Sequence, residues 1–495
     1  MDSIGEAEVA RRLAQHNLWW SQPFRDALPE GRDHRRVYFS PFKALALDFN
    51  VRRATILLGP RRVGKTFMVK QLIHDAIKDG FDPDAILYAQ MDTPVYSGVS
   101  LEQFLDLFPK KKATERRLVV FDEIQYLWNW EAHLKNLVDN YANTKFVALG
   151  SAAAALKLKS DESGAGRFSD FMLPPLTFHE FLKFIEEEAE LIDVRVAGDN
   201  KLEYRAKDIV ELNRRFVDYL NYGGYPEAVL NPTIRANAEQ FIRNDIIDKV
   251  LLKDLPSLYG INDIQQLNKL FSFLAYNAGT EASFENISQK SGITKPTIRR
   301  YIEYLESAFL IIKLPTVDEH CKTLQRQRNF KVYLNNPSMR AALFGTVDVS
   351  ETDKIGHLAE SAIFSQWQHA PQFRQLRYAR WKNEGEVDVV YLMQDKPKPL
   401  WAGEVSWSDD VVSKYGVATR SLSTLIRNHK KTIQTAFLTT RTLTTAAQIE
   451  GIRVSIWPTA LYCYFVGRNI TTNLEKLMLE QFMEKSAGKE TMTPS

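Results

Sequence analysis

The run Gly59-Pro60-Arg61-Arg62-Val63-Gly64-Lys65-Thr66 constrains this chain more than any other stretch. It fits GxxxxGK[ST] (Walker A), follows the apolar run 54–58 and opens an amphipathic run over 67–76, the strand, loop and helix context that the pattern requires. Glycines let the backbone wrap tightly, so that successive N–H groups and a helix N-terminus converge where phosphate oxygens are stabilised. The expected nucleotide-binding set is Gly59, Pro60, Arg61, Arg62, Val63, Gly64, Lys65, Thr66 and Phe67. Lys65 is expected to reach the β- and γ-phosphates of ATP, and Thr66 to ligate Mg²⁺.

Such a loop belongs at the edge of a buried parallel sheet. The β-rich runs ATILLG (54–59), AILYAQ (85–90), RLVVFDE (117–123) and TKFVALG (144–150) alternate with amphipathic stretches, which predicts a parallel sheet with helices on both faces. Asp122, ending a strand expected beside the P-loop strand (Walker B), is assigned to Mg²⁺, and Glu123 to orienting or polarising the attacking water. That acidic pair predicts hydrolysis, because a base at Glu123 has no use in a pure binder. Ser151, after Gly150, is a candidate to sense the γ-phosphate or position water, with a helix N-cap as its plainer role. Arg167, in Gly164-Ala165-Gly166-Arg167, is a candidate to neutralise transition-state charge in its own subunit or a neighbour's, with a structural ion pair as the alternative.

Composition bounds the rest. A chain of 495 residues, 44% hydrophobic and 25% charged, is too long for one small module and too apolar for disorder. A net charge of +3 decides nothing about partners, so any basic surface must be local. Cys321 and Cys463 lack metal-ligand or CxxC spacing, as expected of a reduced cytoplasmic protein, and no apolar run approaches membrane-spanning length, so no membrane partner is expected. The first 50 residues read as helical, with a packing stripe of Trp19, Trp20, Phe24 and Leu28.

Further along, Ser283 is placed to cap a helix through Ser291, Gly292 makes a turn, and Thr294 caps a second helix with Ile298, Ile302 and Leu305 on one face. This is a helix-turn-helix pattern. Lys295, Thr297, Arg299 and Arg300 lie in or near the first turns of the second helix, where recognition helices meet bases or phosphates, so DNA is an expected partner. Glu303 and Glu306 on the same helix keep a protein-binding or packing role open. Lys322, Arg326, Arg328 and Lys331 form a second basic cluster nearby.

The combination of GPRRVGKT, FDEIQYLWNW, GSAA, Gly166-Arg167, LPPLTFHEFL and Tyr222-Gly223-Gly224-Tyr225-Pro226-Glu227, in this order from about residue 35 to 465, resembles the prokaryotic AAA-type (AAA+) P-loop ATPases that carry a C-terminal domain of unknown function. The resemblance implies an α/β chain: an AAA-type parallel sheet, then a helical and winged-helix region, then a restriction-endonuclease-like α/β domain. The expected segments are an N-terminal helical part (1–40), the ATPase domain (41–175), a helical connector (176–260), a winged helix (261–340), the nuclease-like domain (341–470) and a polar tail (471–495). Within the nuclease-like part, Glu360, Asp388 and Glu404 have the order of a metal-holding active site. That chemistry also needs a lysine two residues after the last acid, where this chain has Ser406; Lys414 is a conceivable migrated substitute. The leading expectation is therefore an Mg²⁺-dependent ATPase coupled to a DNA-binding region with a degenerate nuclease fold, acting as a monomer or homo-oligomer. An ATP-regulated metal-dependent DNA nuclease in defence or genome maintenance, and a nucleotide-controlled signalling or scaffold ATPase with protein partners, stay open.

Overall fold

A computed structural model of the chain describes residues 3–21, 34–108, 116–151, 166–196, 202–318, 320–321, 329–369, 375–381, 385–413 and 420–487. Phe24, Leu28, Lys322, Arg326, Arg328 and Lys414 lie outside them, as do Gly164 and Ala165. The chain divides into two compact units, Met1–Pro174 with Thr472–Ser495, and Pro175–Thr471. Among the described residues no helix is long and apolar enough to cross a membrane.

In the first unit, β1 (Ala54–Leu58), β2 (Ile86–Gln90), β3 (Arg117–Asp122), β4 (Thr144–Gly150) and β5 (Phe168–Met172) form one sheet in the order β2-β3-β4-β1-β5, with every pairing parallel. All five residues of β1 are buried, the continuous apolar signature of a strand covered on both faces. Ile56, Leu58, Val119, Phe121, Phe146 and Ala148 point to one face and pack with Trp130, Leu134 and Leu137 of the helix Trp130–Asn140. The alternate side chains, including Tyr88 and Asp122, point to the other face, as the two-residue strand period requires. One expectation is corrected: β4 stands between β1 and β3, so Asp122 does not end the strand next to the P-loop strand. The run TKFVALG is as apolar as its neighbours, and nothing in it states its place in the order.

The N-terminal segment protects the open edge of β2. Helix α1 (Ser3–His16) leads to Asn17, whose amide donates to Tyr88 O (2.8 Å) and accepts from Tyr88 N (2.7 Å). The Trp19 and Trp20 indoles both donate to Ile86 O. An edge strand exposes unpaired backbone groups, and these contacts satisfy part of that row.

In the second unit β6 (Ile192–Val196) and β7 (Leu202–Ala206) form an antiparallel hairpin. A separate nine-stranded sheet is built from β8 (Glu281–Ser283), β9 (Ile311–Val317), β10 (Asn329–Leu334), β11 (Leu376–Trp381), β12 (Gly385–Leu392), β13 (Pro399–Glu404), β14 (Thr435–Thr440), β15 (Thr445–Ile449) and β16 (Ile452–Pro458), and runs β15-β16-β14-β13-β12-β11-β9-β10-β8. Its first three strands in chain order, β8, β9 and β10, pair antiparallel and accompany the helices Ile264–Tyr276, Phe284–Ser291 and Lys295–Ser307. Then β9 pairs in parallel with β11, and the sheet continues through β12, β13, β14, β16 and β15. The buried helix α2 (Thr352–Trp367) packs Ile355, Leu358, Ile363 and Phe364 into this unit's core. The final helix, Thr459–Ala487, continues well into the segment expected as a polar tail.

Candidate nucleotide-binding site

The loop after β1 has the backbone that its sequence demands. Gly64 has φ 94° and Arg62 has φ 64°, the left-handed region that glycine tolerates and a branched or bulky residue resists. A Cβ on Gly59 would stand 2.2 Å from Leu173 O, so the exit of β5 requires glycine there. Helix α3 (Lys65–Lys78) starts with no side-chain cap on its first N–H groups, which leaves the positive end of its dipole facing the loop. The Lys65 ammonium is buried and donates to Gly59 O (2.9 Å) and Pro60 O (2.8 Å). Arg36, which the sequence offered no reason to single out, donates to Val63 O and Pro174 O, both at 2.9 Å, and so ties the loop to the chain beyond β5.

Across the loop stands the acidic strand end. Asp122 is 2% exposed; its Oδ2 accepts from Thr66 Oγ1 and from the Tyr88 hydroxyl, both at 2.7 Å, and its Oδ1 from Glu123 N at 2.9 Å. Burial raises the Asp122 carboxyl above its usual range, and the charge of Glu123 adds to that, against the hydrogen bonds from Tyr88 and Thr66. A carboxylate surrounded mainly by neutral donors favours a cation beside it. Hard oxygens on Thr66 and Asp122 are the donor type Mg²⁺ takes, so these residues fit that ion. Burial, then the charge of Asp122, holds the Tyr88 phenol far above its ordinary pKa, and it stays a donor.

Glu123 follows with φ 54° and ψ 45°, a left-handed conformation that costs a non-glycine residue about 1 kcal/mol or more. Its carboxylate accepts from Gln125 Nε2. Ser151 follows β4, the strand lying between those that end at the P-loop and at Asp122. Its Oγ is buried and has no hydrogen-bond partner, so a hydroxyl at the end of the strand between those two is left unsatisfied by the protein. That orphaned hydroxyl, the uncapped helix and the Thr66–Asp122 pair together fit a Mg²⁺-bound nucleoside triphosphate.

Arg167 lies elsewhere. Its carbonyl accepts from Ala54 N, and Phe168 pairs with Ala54 at the start of β1, whereas the P-loop follows the other end, about 13 Å away by strand rise. Its guanidinium pairs with Asp139 at 2.5 Å. Parallel pairing thus puts Arg167 at the opposite end of the sheet from its own P-loop, and its contact with Asp139 is the structural ion pair held open as the alternative role.

In the second unit Ser283 caps its helix by accepting from Asn286 N, and Gly292 turns at φ 74°. Thr294 makes no side-chain cap, contrary to expectation; its hydroxyl meets that of Thr297 at 2.9 Å. Lys295, Arg299 and Arg300 are exposed, Thr297 is half-buried, Lys295 pairs with Glu285, and the Arg299 guanidinium lies 5.1 Å from the Phe284 ring. Lys331 departs from its expected place in a surface basic cluster: it is 1% exposed, with its amine 2.6 Å from Glu386, 3.5 Å from Glu360 and 3.7 Å from Asp388. Asp388 and Glu404 face each other on adjacent strands, but Asp388 accepts from Val405 N and Glu404 from Leu422 N. Among the described residues no group of three His, Cys, Asp or Glu side chains is placed to hold a metal ion. The expected Glu360, Asp388 and Glu404 metal site is thus not assembled among the described residues; Lys331 stands beside Glu360 and Asp388 instead.

With this geometry, comparison with known proteins is informative at one end of the chain. Residues 51–182 match the family model described as AAA domain. The parallel sheet that carries the P-loop is the fold of that domain. Residues 213–350 match a model described as Domain of unknown function (DUF8612). Among curated relatives, an uncharacterized protein of Haemophilus influenzae is 24% identical over 313 residues, 61% of this chain and 72% of its own. An uncharacterized protein of Methanocaldococcus jannaschii is 24% identical over 349 residues, 69% of this chain and 72% of its own. Solved structures similar to the chain include the ORC1 protein of Aeropyrum pernix in complex with DNA, at 14% identity, covering 62% of this chain and 91% of that one, with a TM-score of 0.30. RuvB of Thermotoga maritima follows at 15% identity, 58% and 90% coverage and a TM-score of 0.28. TM-scores of this size carry no functional argument.

Proposed function

We propose that the chain is an Mg²⁺-dependent ATPase whose hydrolysis controls a DNA-binding C-terminal region of winged-helix and nuclease-like form that does not itself cut. The observation that carries the first half is the 2.7 Å contact between Thr66 and Asp122, which joins the phosphate loop to the acidic strand end, with Glu123 next in the chain. Backbone N–H groups of residues 59–66 bind phosphate oxygens, and Lys65 turns from the loop carbonyls to the β- and γ-phosphates. Thr66 and Asp122 would hold Mg²⁺, which when bound would supply neutralisation of the phosphate charge. Glu123 orients water and accepts its proton, and Ser151 donates to the γ-phosphate or that water.

Arg167 is assigned in this reading to a neighbouring copy's nucleotide, with a homo-oligomer as the working form; its distance from the P-loop of its own chain is what favours that assignment. The exposed Lys295, Arg299 and Arg300, in the first two turns of their helix, support contact with DNA phosphates. Steady-state ATP turnover with and without duplex DNA, beside a gel-shift titration across salt, tests the coupling. Turnover that rises on DNA and binding that weakens steeply with salt are expected; no shift even at low salt favours a protein partner for this region.

A further inference from the structure

Glu123 does not stand alone at the end of β3. The chain turns at once through Ile124–Tyr126, with Tyr126 N donating to Glu123 O at 3.1 Å and Leu127 N to Ile124 O at 3.0 Å. The Ile124 side chain is fully buried and anchors the turn from below. This tight path brings Gln125 back to the carboxylate two residues before it, and its Nε2 donates to Glu123 Oε2 at 2.5 Å. The same amide has a second arm. Gln125 Oε1 is buried and has no hydrogen-bond partner among the described residues.

The two arms cannot be exchanged. Turning the amide over would set its oxygen against the Glu123 carboxylate, acceptor against acceptor, so the nitrogen faces Glu123 and the oxygen is the atom left over. A buried acceptor without a donor costs about 1–3 kcal/mol, and a native fold keeps such an atom where a water or a catalytic step supplies the donor. A glutamine that only closed the turn would gain by leaving its oxygen in solvent. Ser151 Oγ repeats the pattern after β4, the strand paired with β3, so two orphaned polar atoms follow the ends of adjacent strands.

We propose that Gln125 is a positioning residue for hydrolysis: its Nε2 occupies one oxygen of Glu123 and leaves the other for the attacking water, while its own Oε1 accepts from that water's second O–H. This rests on the reading of Glu123 as the base of an ATP-hydrolysing site. One water proton passes to Glu123 as the bond from water oxygen to the γ-phosphorus forms and the bond from that phosphorus to the β,γ-bridging oxygen breaks. The other proton stays on the attacking oxygen, so Gln125 begins and ends as a neutral amide. Two acceptors on one water hold its lone pair toward phosphorus, whereas Glu123 alone leaves the water free to rotate.

The test compares Gln125→Ala and Gln125→Glu with the native full chain, by phosphate release from ATP in Mg²⁺ and by thermal unfolding without nucleotide across pH. Gln125→Ala is expected to lower kcat about 10–10²-fold while KM stays within about twofold. Added to Glu123→Gln, the same change is expected to cost less than about threefold more, because the water it orients has already lost its base. Without nucleotide, Gln125→Glu sets two carboxylates side by side, which cannot both ionise freely. Its unfolding midpoint is therefore expected to lie closest to the native one at about pH 4 and to fall below it as pH rises to about 7. Adding Glu123→Gln closes that gap. Asp122 and Lys65, the charged groups beside this strand end, are common to both chains and cancel in the difference. Unchanged kcat in Gln125→Ala beside a lower midpoint makes Gln125 a turn contact and overturns the proposal, as does a full loss in the Glu123→Gln background or a gap that ignores pH. If Gln125→Ala does not fold, Gln125→Met, which keeps the bulk, replaces it. No Mg²⁺-dependent release by the native chain defeats the hydrolysis reading and the proposal together, whereas native release that loss of the amide leaves intact defeats the proposal alone.

Discussion

Thr66 and Tyr88 donate to the same oxygen of Asp122, yet they serve different ends. Thr66 opens α3 beside the phosphate loop, whereas Tyr88 sits on β2, separated from the P-loop strand by two others, and supports the buried carboxylate from the neighbouring strand. Tyr88→Phe is expected to reduce stability by about 1 kcal/mol while leaving nucleotide affinity within twofold. Thr66→Ala is expected to remove the Mg²⁺ dependence of nucleotide binding with little effect on stability. Thermal unfolding and a nucleotide titration with and without Mg²⁺ separate them. A second residue with a readable effect is Glu404, pushed up to about 8 by burial and then by Asp388, against the hydrogen bond from Leu422 N. Its folded pKa exceeds the unfolded value, so the associated stability is full below about pH 4 and is lost as pH rises through 8. Glu404→Gln, which keeps an acceptor for Leu422 N, is therefore expected to flatten the fall in stability between about pH 4 and 8 and to gain about 2–4 kcal/mol above pH 8. An unchanged pH profile in that variant contradicts the assignment. Residues whose role is local were legible in the sequence: Gly64, Lys65, Thr66, Asp122 and Glu123 follow from a loop and a strand end. Arg36, Tyr88 and Lys331 were not, because each acts on a partner set by strand order or by a distant turn of chain.

Among elements, the strands that the sequence announced are those buried on both faces. Runs such as LVVF and ATILL have no competing reading within a sheet. The hairpin Ile192–Val196 with Leu202–Ala206 and the edge strand β15 escaped, since their side chains are largely half-buried or exposed and their alternation carries little signal. The order of strands escaped as well: β4 between β1 and β3 is a property of the connections, which the apolar runs do not encode. At the helix Lys295–Ser307, Arg299 and Arg300 are exposed cations that form no ion pair among the described residues, whereas Lys295 already faces Glu285. Arg299→Ala and Arg300→Ala are each expected to weaken duplex binding across sequences and to lower the slope of log K against log salt by about 1. A fluorescence anisotropy titration at four salt concentrations reads that slope, and an unchanged slope in both variants removes this helix from the interface.

For the whole molecule, two compact units pose the question of how nucleotide chemistry in one is completed and used. For Arg167, which stands at the far end of the sheet from its own P-loop, the proposed site is a neighbour's nucleotide. Lys65→Ala and Arg167→Ala are each expected to lose at least about 10²-fold in turnover. Mixing them is expected to restore part of it, since the pair can assemble an intact P-loop with an intact arginine. No recovery on mixing, with mixed assembly shown by mass measurement, contradicts the shared site. The most direct measurement of the central claim is steady-state phosphate release from ATP by the full chain in Mg²⁺, beside Lys65→Ala and Glu123→Gln. The account predicts Mg²⁺-dependent turnover in the native chain, retained nucleotide binding with turnover lower by about 10²–10³-fold in Glu123→Gln, and neither binding nor turnover in Lys65→Ala. Turnover in Lys65→Ala equal to that of the native chain would contradict it.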